Sequence, residues 1–217
     1  MTLKTLHYIM DPQCGWCYAA APLIDALTEL TAVNIKLHGG GLFSGANKRQ
    51  LSAGFHQQII TMDKKITGLT GQVFSSTYYS QVLEDQQRVV DSDTPIAALL
   101  AAQSLGVDPV LMLHQMQITQ FVEGRSQSDI SNLTAIVNEL GVDSAAFLNA
   151  FTLINGEKTA QHINNSRNML HLVGGNGFPT LTFEHADGAF TKLEHSSYYG
   201  QPKQWIAYVV RVLKTID

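Results

Sequence analysis

The sequence predicts an α/β protein in which a βαβ unit opens the chain, a ββα unit closes it, and a large all-helical insertion separates the two. Three observations carry that prediction. Leu3 to Met10 is an apolar, β-rich run that leads straight into a helical pattern. From about Gln50 to Leu172 helix starts and stops recur. Two short β-type runs and one amphipathic helix then end the chain.

The first run breaks at Asp11-Pro12, and the helix that follows places Ala20, Leu23, Ile24, Leu27 and Leu30 on one face. Val33, Ile35 and Leu37 alternate with Asn34, Lys36 and His38 as a second strand, which Gly39-Gly40-Gly41 terminates. Strand, helix, strand implies a parallel pair. In the helical block, Thr94 with Pro95 reads as a cap and first residue of a helix closed by Gly106. Asp108 with Pro109 opens a helix that stops at Gly124, and Ser128 or Asp129 opens one ending at Gly141. Asp143 caps a short successor, and Asn155 to Leu172 forms the last helix of the block. Thr180 to Glu184 and Ala189 to Leu193 read as two strands joined around Ala186-Asp187-Gly188. Trp205, Ile206, Val209, Val210 and Leu213 line one face of a closing helix. The division expected is a core of residues 1-48 and 173-217 with a helical insertion of 49-172 packed on it.

The 217 residues are 45% hydrophobic, ample for a buried core, and 15% charged with a net charge of -4. There is no basic stripe for phosphates, so nucleic acid is not an expected partner. Apolar runs such as Pro95 to Ala102 fall short of the roughly 20 residues a bilayer crossing needs, so no membrane association is expected. Met1 to Met10 lacks a charged start, long apolar centre and cleavage site, which points to the cytoplasm.

The only two cysteines, Cys14 and Cys17, lie three positions apart, a spacing that chance would give roughly once in a hundred. A bridge closing so short a loop removes little chain entropy from the unfolded state, which argues for chemistry over stapling. The pair sits where the first strand turns into the first helix. Unpaired amides and the positive end of the helix dipole point at the first cysteine and favour its thiolate. Cys14 is therefore expected as the exposed nucleophile and Cys17, one turn on, as the shielded resolving thiol. Zinc or an iron–sulfur cluster needs two further soft or imidazole ligands, and no paired motif offers them. His7, His162 and His171 read as packing or surface residues, Met112 and Met116 as core, and the Gly39 to Gly45 stretch as the bend into the insertion.

Cys14-Gly15-Trp16-Cys17 after a first strand resembles the active site of the thioredoxin superfamily, and Pro22 stands where that family commonly has a helix-kinking proline. Gly177-Phe178-Pro179-Thr180 resembles the family's cis-proline loop. With the helical insertion, the chain is most similar to the DsbA-like branch, and within it to small cytoplasmic protein-disulfide isomerases. The resemblance implies a thioredoxin-like fold and a thiol–disulfide oxidoreductase of reductase or isomerase type. It implies Cys14 and Cys17 as catalytic residues, with Gly15, Trp16, Phe178, Pro179 and Thr180 binding an extended protein or peptide thiol or disulfide. No separate cofactor is required, and glutathione is the candidate co-substrate. Gly15-Trp16 replaces the Pro-His of the strongly oxidising members, so a milder potential is expected. Two other classes share the plan. Glutathione-dependent transferases and isomerases of the kappa and chromene-carboxylate type use a serine at this turn, against which the second cysteine counts. A binding protein or chaperone would use the cleft without turnover. Oligomeric state stays open, because an apolar helix face closes a core or a dimer with the same pattern.

Overall fold

A computed structural model describes residues 3–85 and 87–216. Strand β1 (Lys4–Met10) is buried along almost its whole length, as a central strand must be. It pairs in parallel with β2 (Val33–Gly39), bringing Leu6 opposite Ile35 and Tyr8 opposite Leu37. Helix α1 (Gly15–Thr28) makes the crossover. On its other side β1 pairs antiparallel with β5 (Thr180–Glu184), which pairs with β6 (Phe190–Lys192), so the sheet runs β2-β1-β5-β6. The two terminal units thus build one sheet.

Residue alternation gives this sheet two covered faces. Leu6, Tyr8, Met10, Leu181 and Phe183 join Leu23, Ile24 and Leu27 of α1 in the main core, closed by Trp205 and Val209 of α9 (Pro202–Leu213). Ile9 points the other way, onto Leu170 and Val173 at the end of α8 (Glu157–Leu172). Trp205 is fully buried, and its indole N–H donates to the Leu23 carbonyl at 3.0 Å, which locks α9 to the middle of α1.

The inserted segment comprises α2 (Ala53–Thr70), a helical turn α3 (Ser76–Tyr78) that widens over Tyr79–Leu83, α4 (Asp93–Ser104), α5 (Pro109–Phe121), α6 (Ile130–Glu139), α7 (Ser144–Ile154) and α8. Side-chain caps mark the starts: Ser52, Asp108, Asp129 and Asp143 accept from Phe55, Leu111, Ser131 and Ala146 amides. The main core extends into the segment through Met112, Met116, Leu133 and Phe147, so both methionines are core residues. A second cluster stacks Tyr18 of α1 on Phe121, with Phe74 and Tyr78 edge-on.

Three local readings shift. Helix α4 starts at Asp93 with Ser92 before it, so Pro95 is its third residue, where a missing N–H breaks no intrahelical bond. Helix α8 starts at Glu157, because Gly156 at φ 101° interrupts the run from Asn155. The segment also holds a two-residue ladder of β3 (Arg49–Gln50) and β4 (Val89–Val90), too short for periodicity to reveal. No helix of the described residues is long and apolar enough to cross a membrane.

Trp205→Ala should lower unfolding free energy by about 3–5 kcal/mol through cavity formation and an unpaired Leu23 carbonyl. Urea unfolding that shows an unchanged midpoint would refute this role for the α1–α9 contact.

Candidate active site

The turn between β1 and α1 is held by side chains and amides on every side. Asp11 is fully buried, and its carboxylate accepts from the Gln13 amide at 2.9 Å and the Leu42 amide at 2.7 Å. Burial raises its pKa, and hydrogen bonds from Ser92 and these amides oppose the rise. Cys14 stands at the cap position of α1, and its carbonyl accepts from the Cys17 and Tyr18 amides. The Gly15 and Trp16 amides that follow belong to the first turn, where a helix offers no internal acceptor.

Both cysteines are free thiols with unequal surroundings. Cys17 is 0% exposed, Cys14 is 7% exposed. The expectation of an exposed Cys14 is thus corrected: the thiol sits at the floor of a cleft, walled by Trp16 and Phe178, and reaches solvent only through it. Cys14 Sγ lies 3.8 Å from the Phe178 carbonyl oxygen. Cys17 Sγ accepts from the Asp11 amide at 3.4 Å, while the Tyr8 hydroxyl donates to the Cys17 carbonyl at 3.2 Å. Burial, then the hydrogen bond and charge of Cys14, push the Cys17 thiol well above the usual thiol range.

The second half of the site arrives from more than 160 residues away. The Phe178–Pro179 peptide bond is cis, and Thr180 Oγ1 donates to the Gly177 carbonyl at 2.8 Å. Phe178 packs onto the glycine run after β2: a Cβ on Gly40 would stand 2.1 Å from its ring. Arg167 of α8 donates to the Gly40 carbonyl at 2.9 Å and the Gly41 carbonyl at 2.6 Å, fixing that run from behind. The bend into the insertion therefore also seats the cis-proline loop. Trp16 stacks on Tyr199 with centroids 5.6 Å apart, and Lys65 Nζ lies 5.7 Å from its ring centroid. All seven residues expected at the site converge: Cys14, Gly15, Trp16 and Cys17 on one side, Phe178, Pro179 and Thr180 on the other.

Two hollows adjoin Trp16 and Phe178. An open groove of about 450 Å³ runs along Phe178, Pro179 and Thr180 toward Glu194 and Ser196. A more enclosed, largely apolar cavity of about 290 Å³ opens beside Cys14 and is walled by α2, the Tyr79–Leu83 turn and α5.

Comparison with known proteins decides the family. A solved structure described as cytosolic disulfide reductase DsbM from Pseudomonas aeruginosa is 37% identical, covering 97% of this chain and 99% of that one at a TM-score of 0.89. The chain belongs to the DsbA-like thiol–disulfide oxidoreductases. The same Pseudomonas protein with GSH matches at 36% identity and a TM-score of 0.86, covering 97% and 99% of the two chains. Pseudomonas aeruginosa DsbA shares the fold at 13% identity, with a TM-score of 0.56 and coverage of 98% of this chain and 83% of that one. No protein-family model and no curated protein matches.

Sequence reasoning about this DsbA-like site passed over Asp11, Gly40, Arg167, Tyr199 and Asp63. The triple glycine and Asp11 beside the dithiol were visible signals, whereas Arg167, Tyr199 and Asp63 come from distant helices or loops with no motif around them. Asp63 of α2 is 3% exposed, and burial moves its carboxyl up to about 7. Its folded range lies above the unfolded one, so folding takes up a proton and stability falls as pH rises from about 4 to about 7. Relative to wild type, Asp63→Asn should gain stability across that window, by on the order of 4 kcal/mol in all. Thermal melts at several pH values test it, and a pH-independent difference would contradict it.

Proposed function

We propose that this oxidoreductase reduces or isomerises disulfides through the Cys14–Cys17 dithiol and a mixed-disulfide intermediate. The observation that carries the reading is the asymmetry of the pair: Cys14 faces a cleft opposite the Phe178 carbonyl, and Cys17 lies fully buried one turn behind. The Cys14 thiolate attacks one sulfur of a substrate disulfide; that S–S bond breaks, and the other sulfur leaves as a thiolate that takes a proton from water. Cys17, losing its proton, attacks Cys14 Sγ, releases the second substrate thiol and leaves the pair oxidised. Two electrons have passed to the substrate. In isomerisation a different cysteine thiolate of the substrate attacks the substrate sulfur of the mixed disulfide instead, a new substrate S–S bond forms, Cys14 leaves as the thiolate, and the pair returns reduced.

In this reading a protein or peptide substrate lies extended in the groove, with Gly15, Trp16, Phe178, Pro179 and Thr180 beside its reacting cysteine. Residues 1-48 and 173-217 supply the reacting core, and 49-172 wall the cleft. Glutathione is the proposed reductant of the oxidised pair: two molecules return the dithiol and leave as glutathione disulfide. Support comes from the related Pseudomonas reductase, solved with GSH. Its description as cytosolic supports the cytoplasm as the place of action. The glutathione-transferase alternative leaves Cys17 without a role.

Equilibration in glutathione redox buffers, read by alkylation and mass, should show a reversible two-electron transition nearer about −270 mV than about −120 mV. In Cys17→Ser, the mixed disulfide on Cys14 should accumulate. A wild-type protein that forms no internal bridge and only collects one glutathione on Cys14 would overturn the dithiol reading in favour of the transferase.

A further inference from the structure

The enclosed cavity beside Cys14 carries a pattern the dithiol mechanism does not use. Its walls are apolar, with Leu51, Phe55, Val82 and Phe121 among them, yet they hold two groups of opposite charge type, Asp63 and Arg88. Asp63 Oδ2 and Arg88 Nη1 are both buried with no hydrogen-bond partner among the described residues. Neither satisfies the other at these two atoms, although both line the same space. Buried polar atoms normally find partners, and those that do not ask for an explanation in terms of something that binds. Among the described residues Arg88 Nε lies 3.8 Å from Asp85 Oδ2, a contact made by a different nitrogen from the unpartnered Nη1.

Position fixes how long an occupant can be. Asp63 Oδ1 lies 3.4 Å from where a Cβ on Gly15 would stand, and Gly15 follows Cys14 directly. The carboxyl is therefore within one residue's reach of the nucleophile, so a ligand touching both has a short arm between its sulfur and its cationic group. The cavity is also too enclosed for a folded surface and differs in kind from the open groove along Pro179. An α-amino acid group meets these demands together: its ammonium complements Asp63, its carboxylate complements Arg88, and two carbons separate nitrogen from sulfur.

We infer that this cavity is a binding site for one arm of a small disulfide ending in an α-amino acid group, of the cystine type, held between Asp63 and Arg88 with its sulfur at Cys14. The inference rests on the dithiol reading. Cys14 thiolate attacks the held sulfur, the S–S bond of the ligand breaks, and the free arm leaves as a thiolate protonated from water. Cys17 then displaces the held arm as a second thiol, so one disulfide yields two thiols and the Cys14–Cys17 bridge. A single turnover of reduced protein needs no other reductant.

The test is the single-turnover rate of the reduced full-length protein with L-cystine, divided by its rate with 2-hydroxyethyl disulfide, which has neither charge. The ratio should be raised at least about tenfold over the same ratio for free dithiothreitol, the size of a single charge-assisted contact. In wild type, N,N′-diacetylcystine and cystine dimethyl ester should each lose most of that preference, a ligand-side readout that no misfolded variant can mimic. Asp63→Asn should lose it and become indifferent to acetylation; Arg88→Met should lose it and become indifferent to esterification. A wild-type ratio equal to that of dithiothreitol, or variants that keep the preference, overturns the site, as does loss in only one of the two variants. Failure of both disulfides to oxidise the pair would instead bring down the dithiol reading itself.

Discussion

The contact between Cys14 and the Phe178 carbonyl is the constraint around which the rest of the molecule is arranged. It joins segments 164 positions apart, at 3.8 Å, and neither segment could hold its place alone. Cys14 is set by the strand-to-helix turn, whose geometry Asp11 fastens with two hydrogen bonds. The carbonyl is set by a loop pressed against a backbone with no side chain, since any Cβ on Gly40 would occupy the space of the Phe178 ring. Pairing of β1 with β5 then carries the two halves into register, Ile9 opposite Thr180.

The inserted segment contributes to this arrangement from the far side. Arg167 grips the Gly40 and Gly41 carbonyls from α8, and Gln127 donates to the Pro12 carbonyl at 3.2 Å and the Met116 carbonyl at 3.0 Å. Gln13 donates to the Asp91 carbonyl, and Ser92 Oγ accepts from the Phe43 amide. Apart from the Gln127–Met116 bond, which lies within the insertion, each ties a loop flanking the cysteines to the inserted segment, so movement of the insertion would be felt at the cleft. The aromatic stack of Tyr18 on Phe121 adds a packed contact between α1 and α5 at the same end.

What could be read from sequence follows from how local each signal is. Strand alternation in Val33 to Leu37, the caps at Asp108 and Asp143, and the spacing of Cys14 and Cys17 are all carried by neighbours within one or two turns, and the structure places them as expected. The convergence of Pro179 on the dithiol was legible through resemblance to a family, because no periodicity links residues so far apart. Asp63 was not legible at all. On a helix with Ile59, Met62 and Ile66 close by, one acid reads as an ordinary solvent-side residue, and its burial comes from packing against the start of α1 at Gly15, which local sequence does not reveal. The β3–β4 ladder escaped for the same reason, since two residues cannot display a period of two.

The unequal burial of the two sulfurs also orders their chemistry. An acid that water cannot reach holds its proton more tightly, because the charged form loses solvation, and Cys17 lies in that regime, with the hydrogen bond and charge of Cys14 adding to the effect of burial. As long as Cys14 carries charge, repulsion adds to burial in keeping Cys17 neutral. In the mixed disulfide of the proposed mechanism that charge is gone, and the Asp11 amide, which donates to Cys17 Sγ, remains to support a thiolate there. In the proposed mechanism Cys17 is thus restrained before the mixed disulfide exists and released by its formation, which would make the sequence of attack a property of the packing around the turn.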